Sequence, residues 1–369
     1  MKLQLTAVTA AFALTCSGQA LAAGQIGNLG GALKRAQQQF KDVEISESEE
    51  QQLGAQVSDR IRQRYGVVQN QAIHRYVTLV GSSLAQSSSR PNLPWKFIVL
   101  DTDAVNAFAA PGGFVHITRG ALAHMKNEAE LAGVLGHEIT HVTERHTIRA
   151  IQKGKLVQMG ANETLSGNSA LMGKLVDKAY DVVEKGFGRG EELEADEKGV
   201  VLANAIGYAP QGLNEFLAML MDRNKSGSDR NGLFASHPET RERVDKLTKQ
   251  IAAQKLGSTA TNAPRYATSV PFKPVAASEI ATVEAGSAGL TGGDAKPAEE
   301  PKKKGLGGLS AALKPSGTEK KSAQVSGSGA ARGGAEEDRL AKGGAVKTLV
   351  SVSVSAADIA AFKKDGGLK

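Results

Sequence analysis

The sequence is poor in cysteine and in aromatic residues, and both shortages exclude classes of protein. Of its 369 residues only Cys16 is a cysteine, so the chain cannot form a disulfide within itself. Phe, Trp and Tyr together make up 4% of the chain. Aromatic residues are scarce in the basic tail, which argues against a stacking platform for single-stranded nucleic acid. We therefore expect no nucleic-acid partner.

Apart from its first residues, the sequence has no apolar run approaching the ~20 residues that cross a bilayer. The N-terminal run, which follows Lys2, is shorter than that. Ala20-Leu21-Ala22 fits a small-residue cleavage site, so we predict a secretory signal peptide at residues 1–22 and a periplasmic location. Two alternatives are a retained membrane anchor and cleavage with acylation at Cys16, which would make an outer-membrane lipoprotein.

The folded part of the protein also lacks a strong charge of either sign. The formal net charge is +7, but the residues from Lys255 onward include 17 basic and 11 acidic ones, a surplus of six. Only one of the seven positive charges is left for the preceding part. The basic character therefore belongs to the tail, where it favours a salt-sensitive association with an envelope or membrane surface.

The order of sequence patterns predicts a mainly helical α+β domain with a small antiparallel sheet. Helical periodicity begins near Ser46, with a capping box of Ser48 and Gln51, and it dominates again after Gly120. Between these helical stretches lie a short buried strand and two strands around Pro111-Gly112-Gly113, which predict a hairpin.

Composition divides the rest of the chain. Small residues, Pro and Lys dominate after the folded domain, and such a segment buries too little apolar surface to order itself. The last residues differ, because Val346 to Val354 are apolar and β-branched and Ser355 with Asp358 can cap a helix. We expect this element to dock on the domain, and we expect no tetratricopeptide repeats because the tail has no period. The predicted divisions are a signal peptide at 1–22, a linker at 23–43, a folded domain at 44–255, a low-complexity disordered linker at 256–345 and a short strand-helix element at 346–369.

The segment with the clearest chemistry is HEITH, residues 137–141, within LAGVLGHEITHVTERH. Residues four apart share a helix face, so the imidazoles of His137 and His141 can reach one ion. Glu138 is rotated about 100° around the helix, where it can accept a proton from a water on that ion. This is the spacing of zinc proteases. The alternative is a helix with two surface histidines, but the apolar neighbours predict a buried helix, in which histidines need polar partners.

A zinc site also needs a third protein ligand and a position open to water. No histidine stands at the short spacing HExxH-x-x-G-x-x-H, because His146 is five residues beyond His141 and no glycine intervenes. GRGEELEADEKG offers a carboxylate instead. Glu192 can bind the metal while Asp196, on the same helix face, accepts the outer N–H of His137. Taken alone, this acidic run is more typical of a solvated helix face.

HEITH followed by ELEAD resembles the HtpX/BepA-like family of zinc metallopeptidases, which are relatives of the CAAX prenyl protease. Similarity also lies in NAFAAPGGFVHITRGAL, FGRGEELEADEKG, IGYAPQGL and SHPETRERV, and it spans roughly residues 44–250. The resemblance implies a thermolysin-like site with one zinc ion per chain, bound by two histidines and a glutamate.

The same resemblance implies a role for His237, in SHPET. It would lie near the zinc and donate to the tetrahedral oxyanion, a contribution of about 3–4 kcal/mol in comparable sites. The alternatives are that it occupies the open zinc position and keeps the enzyme latent, or that it belongs to a structural turn. Arg243 is expected to pair with an acidic group in the core of the site. No metal role is predicted for the remaining histidines, His74, His116, His124 and His146.

Together these residues predict a secreted zinc-dependent endopeptidase for unfolded or misassembled envelope proteins. Glu138 would act as the base and pass its proton to the leaving amine. The strand around Asn106, Ala107 and Phe108 would bind an extended substrate backbone by strand addition.

Two functions of other classes stay open. The first is a chaperone-like or scaffold protein that keeps the zinc fold with little turnover, whose substrate capture would not change on Glu138→Gln. The second is a tether to an anionic surface through the basic tail, whose binding would weaken with salt.

Overall fold

The structure is a computed structural model that describes residues 45–158, 169–223, 240–275 and 346–369. The predicted signal peptide and N-terminal linker, most of the predicted low-complexity segment, and His237 lie outside these residues. Within the described ranges, no helix is both long and apolar enough to span a membrane.

The helices and strands are numbered in chain order. They are α1 (Glu47–Tyr65), α2 (Gln71–Ala85), β1 (Lys96–Leu100), β2 (Ala107–Ala110), a 3-10 turn (Pro111–Gly113), β3 (Phe114–Thr118), α3 (Arg119–His124), α4 (Glu128–Thr143), α5 (His146–Gln158), α6 (Ser169–Lys185), α7 (Arg189–Ala205), α8 (Gly212–Arg223), α9 (Thr240–Ala253), α10 (Ala263–Ser269) and α11 (Ala356–Asp365). A mainly helical α+β domain was predicted, and the structure confirms it.

Helix α1 begins with a capping box, but two residues earlier than predicted. The Ser46 hydroxyl accepts from the backbone N–H of Glu49 at 3.3 Å, and the Glu49 carboxylate accepts from the backbone N–H of Ser46 at 2.9 Å. The predicted pair of Ser48 and Gln51 is therefore wrong. Ser46 is the last extended residue before the helix, and an N-cap must be extended for its side chain to reach the third helical N–H.

The three strands form a mixed sheet with β3 in the centre. β2 and β3 pair antiparallel around the Pro111–Gly113 turn, which confirms the hairpin. β1 pairs with β3 in parallel, so the prediction of a purely antiparallel sheet was wrong for this pair. The chain reverses direction twice between β1 and β3, and β2 adds to the far side of β3. Gly112 permits the second reversal because its φ is +73°.

Helix α4 is the central element of the fold, and every residue from Glu128 to Val142 is buried. It contacts the sheet, α2, α7 and α8. The contact with α7 is unusually close, because a Cβ on Gly136 would lie 2.7 Å from the Gly199 carbonyl oxygen, and one on Gly199 would lie 2.7 Å from the His137 nitrogen. Glycine on both helices therefore sets the short separation between α4 and α7.

The ordered domain extends beyond the predicted boundary at residue 255. Residues 256–275 include α10, whose Tyr266 is buried and donates its hydroxyl to the Leu122 carbonyl at 2.6 Å. Ala260 also exchanges backbone hydrogen bonds with the loop after α7, at Gly207 and Ala209. These contacts give the first part of the predicted low-complexity segment enough burial to order it.

Residues 346–369 dock on the domain, as the sequence predicted. Their first part is extended but joins no strand ladder, so the predicted strand is wrong. It is held instead largely by side chains. Arg75 on α2 donates to the Ser353 carbonyl at 3.0 Å and pairs with Asp358 at 2.8 Å. Helix α11 follows, with the predicted capping box of Ser355 and Asp358.

A buried carboxylate joins this C-terminal element to the central helix. Glu128, the first residue of α4, accepts hydrogen bonds from the hydroxyls of Tyr76 at 2.8 Å and Tyr208 at 2.6 Å and from Arg265 Nε at 2.8 Å. The Arg265 guanidinium also donates to the Phe362 carbonyl at 2.9 Å and lies 3.9 Å from the Phe362 ring centroid. Arg265, which neutralises the Glu128 carboxylate at the start of α4, therefore also holds α11 in place.

We expect Phe362→Ala to release α11 from the domain. Full burial of a phenylalanine contributes ~3–5 kcal/mol, so this half-buried ring should contribute about 1–3 kcal/mol to the free energy of unfolding. Amide exchange at residues 346–369 should accelerate, as measured by mass spectrometry. The matched control is Lys364→Ala, an exposed position of the same helix. Equal exchange in the two variants would contradict the anchoring role.

A second buried carboxylate makes stability depend on pH. Glu184 on α6 is 8% exposed and accepts from the Tyr65 hydroxyl at 3.2 Å. Burial raises the pKa of Glu184 to about 7, against the opposing effect of the nearby Arg64 charge. Because this pKa lies above the ordinary value of 4.5, the folded state favours the protonated acid. That stabilisation is fully present below about pH 4.5 and is lost as the pH rises through about 7.

We expect Glu184→Gln, which is neutral at every pH, to remove this dependence. Relative to wild type, the free energy of unfolding of the variant should rise by roughly 2–3 kcal/mol between pH 4.5 and pH 8. Urea denaturation across this range measures the difference. Asp181→Asn, at an exposed acid of the same helix, is the control. Parallel pH profiles for Glu184→Gln and wild type would show that Glu184 titrates normally.

Candidate metal centre

The structure brings together the three residues that the sequence suggested as metal ligands. His137 and His141 lie on α4 and Glu192 lies on α7, and one ligand atom from each falls within 4.8 Å of the others. The two histidine Nε2 atoms are 3.0 Å apart, and each lies 3.5 Å from a Glu192 carboxylate oxygen. All three side chains are buried, so this is a closed cluster of donors and not a solvated acidic surface.

Local sequence explains why these donors converge. His137 and His141 occupy one face of α4, and Glu192 and Asp196 occupy one face of α7, each pair four residues apart. Helix α7 begins after Gly188, whose carbonyl accepts from the Glu192 N–H at 3.0 Å, so Glu192 stands in the first turn. The glycine contact between the helices then allows short side chains to meet across the gap.

Asp196 fixes the orientation of His137. Its carboxylate lies 2.9 Å from His137 Nδ1. A carboxylate only accepts, so Nδ1 carries the proton and Nε2 presents its lone pair to the cluster. Burial alone would raise the pKa of Asp196, but the Arg243 charge and the hydrogen bonds from His137 and Arg243 outweigh it and lower the pKa to about 2. Asp196 is therefore an anion at neutral pH.

Arg243 on α9 supplies the positive charge of the cluster. Its guanidinium donates to both oxygens of Asp196 at 2.7 Å and lies 3.0 Å from Glu192. The buried carboxylates of Glu138, Glu192 and Asp196 carry three formal negative charges against this one positive charge. Over the described residues the balance is two negative charges, which a divalent cation would offset, since buried charge is costly without a counter-charge. The donor set thus fits a metal ion.

His146 and Glu194 extend the cluster on the other side, and the sequence analysis did not foresee this. His146 Nδ1 lies 2.7 Å from His141 Nδ1, and His146 Nε2 lies 3.2 Å from a Glu194 oxygen. The Phe187 ring stacks on His141 with centroids 4.0 Å apart. Arg145, with φ +55°, turns the chain between α4 and α5 and returns His146 over His141. The turn that brings His146 back has no clear signal in the sequence.

The predicted substrate strand lies at an edge of the sheet. Asn106, Ala107 and Phe108 are all buried, the Phe108 ring stacks on Tyr65 at 5.5 Å, and the Asn106 side chain accepts from the Ala107 N–H at 2.9 Å. Their side chains therefore belong to the interior. Among the described residues, no strand pairs with the outer edge of β2, which lies against α4 and α6.

Two further histidines have structural positions. His116 is buried on β3, where its Nε2 lies 2.9 Å from the Ser58 hydroxyl, and burial lowers its pKa to about 3. His74 is also buried, with Nε2 2.9 Å from the Val68 carbonyl oxygen, because α2 packs the face that carries His74 against the loop before the helix.

Part of the chain is similar to known peptidases. Residues 71–251 match the model described as Peptidase family M48. The beta-barrel assembly-enhancing protease of Yersinia pestis is 26% identical over 59% of this chain and 47% of that protein, and the one of Escherichia coli K12 is 28% identical over 53% and 42%. Metalloprotease YcaL of Escherichia coli K12 is 32% identical over 44% of this chain and 64% of that protein. The chain spans less than half the length of the first two relatives.

We expect Arg243→Met to destabilise the fold strongly. The change keeps an unbranched apolar chain but leaves the buried carboxylates of Asp196 and Glu192 without their cation, which typically costs ~3–5 kcal/mol. Urea denaturation of the chelator-treated protein measures the loss. Arg241→Met, at an exposed position on the same helix, is the control and should change the free energy of unfolding little. Similar losses in both variants would contradict the electrostatic role of Arg243.

Proposed function

Residues 71–251 are a domain of peptidase family M48, and from this premise we propose that the chain is a zinc-dependent endopeptidase. The observation that carries the proposal is the buried cluster of His137, His141 and Glu192 beside Glu138. It combines three metal donors with a carboxylate adjacent to them on the same helix. A hydrolase of this type needs both in one place.

The spacing of the donors supports zinc. Ligand atoms about 2.0–2.1 Å from a tetrahedral zinc ion lie roughly 3.3–3.4 Å from one another. The three separations in the cluster are 3.0, 3.5 and 3.5 Å. Two imidazoles and one carboxylate are also a known ligand set of catalytic zinc, which keeps its fourth position for water or substrate. We propose one zinc ion per chain, held by His137, His141 and Glu192.

In the proposed reaction, the protein residues orient the groups and move the protons. Zinc, when bound, supplies Lewis acidity that polarises the scissile carbonyl and acidifies a water molecule. Glu138 takes the proton of the attacking water and passes it to the leaving amine. Asp196 and Arg243 hold His137 and Glu192 in place. His237, three residues before Thr240 where α9 begins, would donate to the oxyanion.

We propose that the substrates are extended or unfolded polypeptides, bound by strand addition at the outer edge of β2. Strand β2 contacts α4, which carries Glu138, and no described strand pairs with the outer edge of β2. Strand addition uses backbone hydrogen bonds, so the interior positions of the Asn106, Ala107 and Phe108 side chains are compatible with it. Because these residues are buried, the edge must open before substrate enters.

The proposed setting is the periplasm. The signal-like segment at residues 1–22 supports export, and two similar proteins are named for enhancing beta-barrel assembly, which supports misassembled envelope proteins as substrates. The basic tail would add a salt-sensitive attachment to an anionic surface. A scaffold with little turnover is the second candidate function, and the burial of β2 favours it.

We expect Glu138→Gln to keep the metal and lose the activity. Wild type and variant should each hold about one zinc per chain by elemental analysis, because Glu138 is not a ligand. Cleavage of casein should fall by roughly 10²–10⁴-fold, the usual contribution of a general base. The control is Glu197→Gln, the same substitution at an exposed carboxylate of α7.

The other outcomes separate the two candidate functions. Zinc in both proteins with cleavage in neither would favour the scaffold. Zinc in neither would overturn the metallopeptidase proposal, and full cleavage by Glu138→Gln would overturn the role of Glu138.

A further inference from the structure

We propose that His146 and Glu194 form a hydrogen-bonded relay that orients His141 toward the metal. The relay is the counterpart, on the second histidine ligand, of the Asp196 carboxylate on the first. His146 is thus a positioning residue and not a ligand. The inference rests on the proposed metal site, and it assigns a role to two side chains for which the sequence predicted none.

The positions of the ring nitrogens carry the argument. His141 Nε2 faces the cluster, 3.0 Å from His137 Nε2 and 3.5 Å from Glu192. Its other nitrogen, Nδ1, lies 2.7 Å from His146 Nδ1. At that distance one of the two Nδ1 atoms must donate and the other must accept. A ligand presents a lone pair, so the His141 proton belongs on Nδ1, and His146 Nδ1 is the acceptor.

The far side of His146 agrees with this assignment. If Nδ1 accepts, the proton of neutral His146 is on Nε2, which lies 3.2 Å from a Glu194 carboxylate oxygen. A carboxylate accepts this proton as a hydrogen bond. The reverse order would set the lone pair of His146 Nε2 against Glu194 and would turn the His141 Nε2 proton toward the metal ligands. Only one order of donors satisfies both ends of the relay.

Neighbouring groups hold the relay in place. Lys198 donates to Glu194 at 2.7 Å and Arg149 donates to it at 3.1 Å, so the carboxylate is fixed from α7 and α5. His146 is buried, and Phe187 covers the face of the His141 ring. Helix α7 therefore supplies a metal ligand, Glu192, and the terminal carboxylate of both relays.

The test measures zinc affinity and not only activity. His146→Leu replaces the imidazole by an apolar side chain of comparable bulk and so removes the hydrogen-bond acceptor. Zinc affinity, measured by competition with a chromophoric chelator, should fall about 10–100-fold, as for other residues that orient metal ligands. His146→Asn places an amide oxygen near the position of Nδ1, so it should recover most of this affinity. The absorption spectrum of the cobalt-substituted protein should shift in the Leu variant and return in the Asn variant.

A buried histidine elsewhere provides the matched control. His74→Leu removes a ring that bonds to the Val68 carbonyl, so it should lower thermal stability and leave zinc affinity unchanged. Equal affinity in wild type and His146→Leu would overturn the relay, and so would an Asn variant as weak as the Leu variant. If His146→Leu does not fold, His146→Ala, which also removes the acceptor, takes its place in the comparison with wild type and the Asn variant. A wild type that binds no zinc would overturn the proposed metal site itself.

Discussion

Buried negative charge is the constraint on which the rest of the structure depends. Glu138, Glu192 and Asp196 lie in the interior, and in the part of the chain that the structure describes the guanidinium of Arg243 pairs with Glu192 and Asp196. Such a cluster is tolerable only when every oxygen is directed at a donor or a cation. The fold therefore brings α9 against α7 to deliver Arg243, and it leaves the remaining imbalance for a divalent ion. Among the described residues, this remaining deficit of positive charge favours a divalent cation at the site.

Helix geometry turns this deficit into a defined site. Gly136 and Gly199 let α4 and α7 approach so closely that side chains of ordinary length meet across the gap. His137 and His141 come from α4. Glu192, Glu194 and Asp196 come from α7. The Nδ1 atom of each histidine then has a hydrogen-bond partner: the Asp196 carboxylate for His137 and the neutral His146 ring for His141. Hydrogen bonds thus hold the two histidine rings from both sides of the site.

How much the sequence predicts depends on how local each feature is. HEITH and ELEAD are local, since a four-residue spacing on a helix fixes which side chains share a face, and the ligand cluster and the Asp196 contact lie where that spacing implies. The position of His146 depends on the turn at Arg145. The parallel pairing of β1 with β3 depends on which side of β3 is taken by β2. Neither feature has a local signal in the sequence. Residues 256–275 look like linker by composition, yet Tyr266 and Arg265 order them through contacts with distant helices.

Docking of the C-terminal element links the two ends of the folded chain, and this affects how the protein reaches its native state. Arg62 and Arg75 bond to carbonyls that are 285 and 278 residues away in sequence. Contacts of such separation form late, because a long loop must close first. During synthesis the helix that bears HEITH will emerge well before residues 265 and 362. A nascent chain therefore holds Glu128 without its arginine until residue 265 has been made and has folded back onto the central helix.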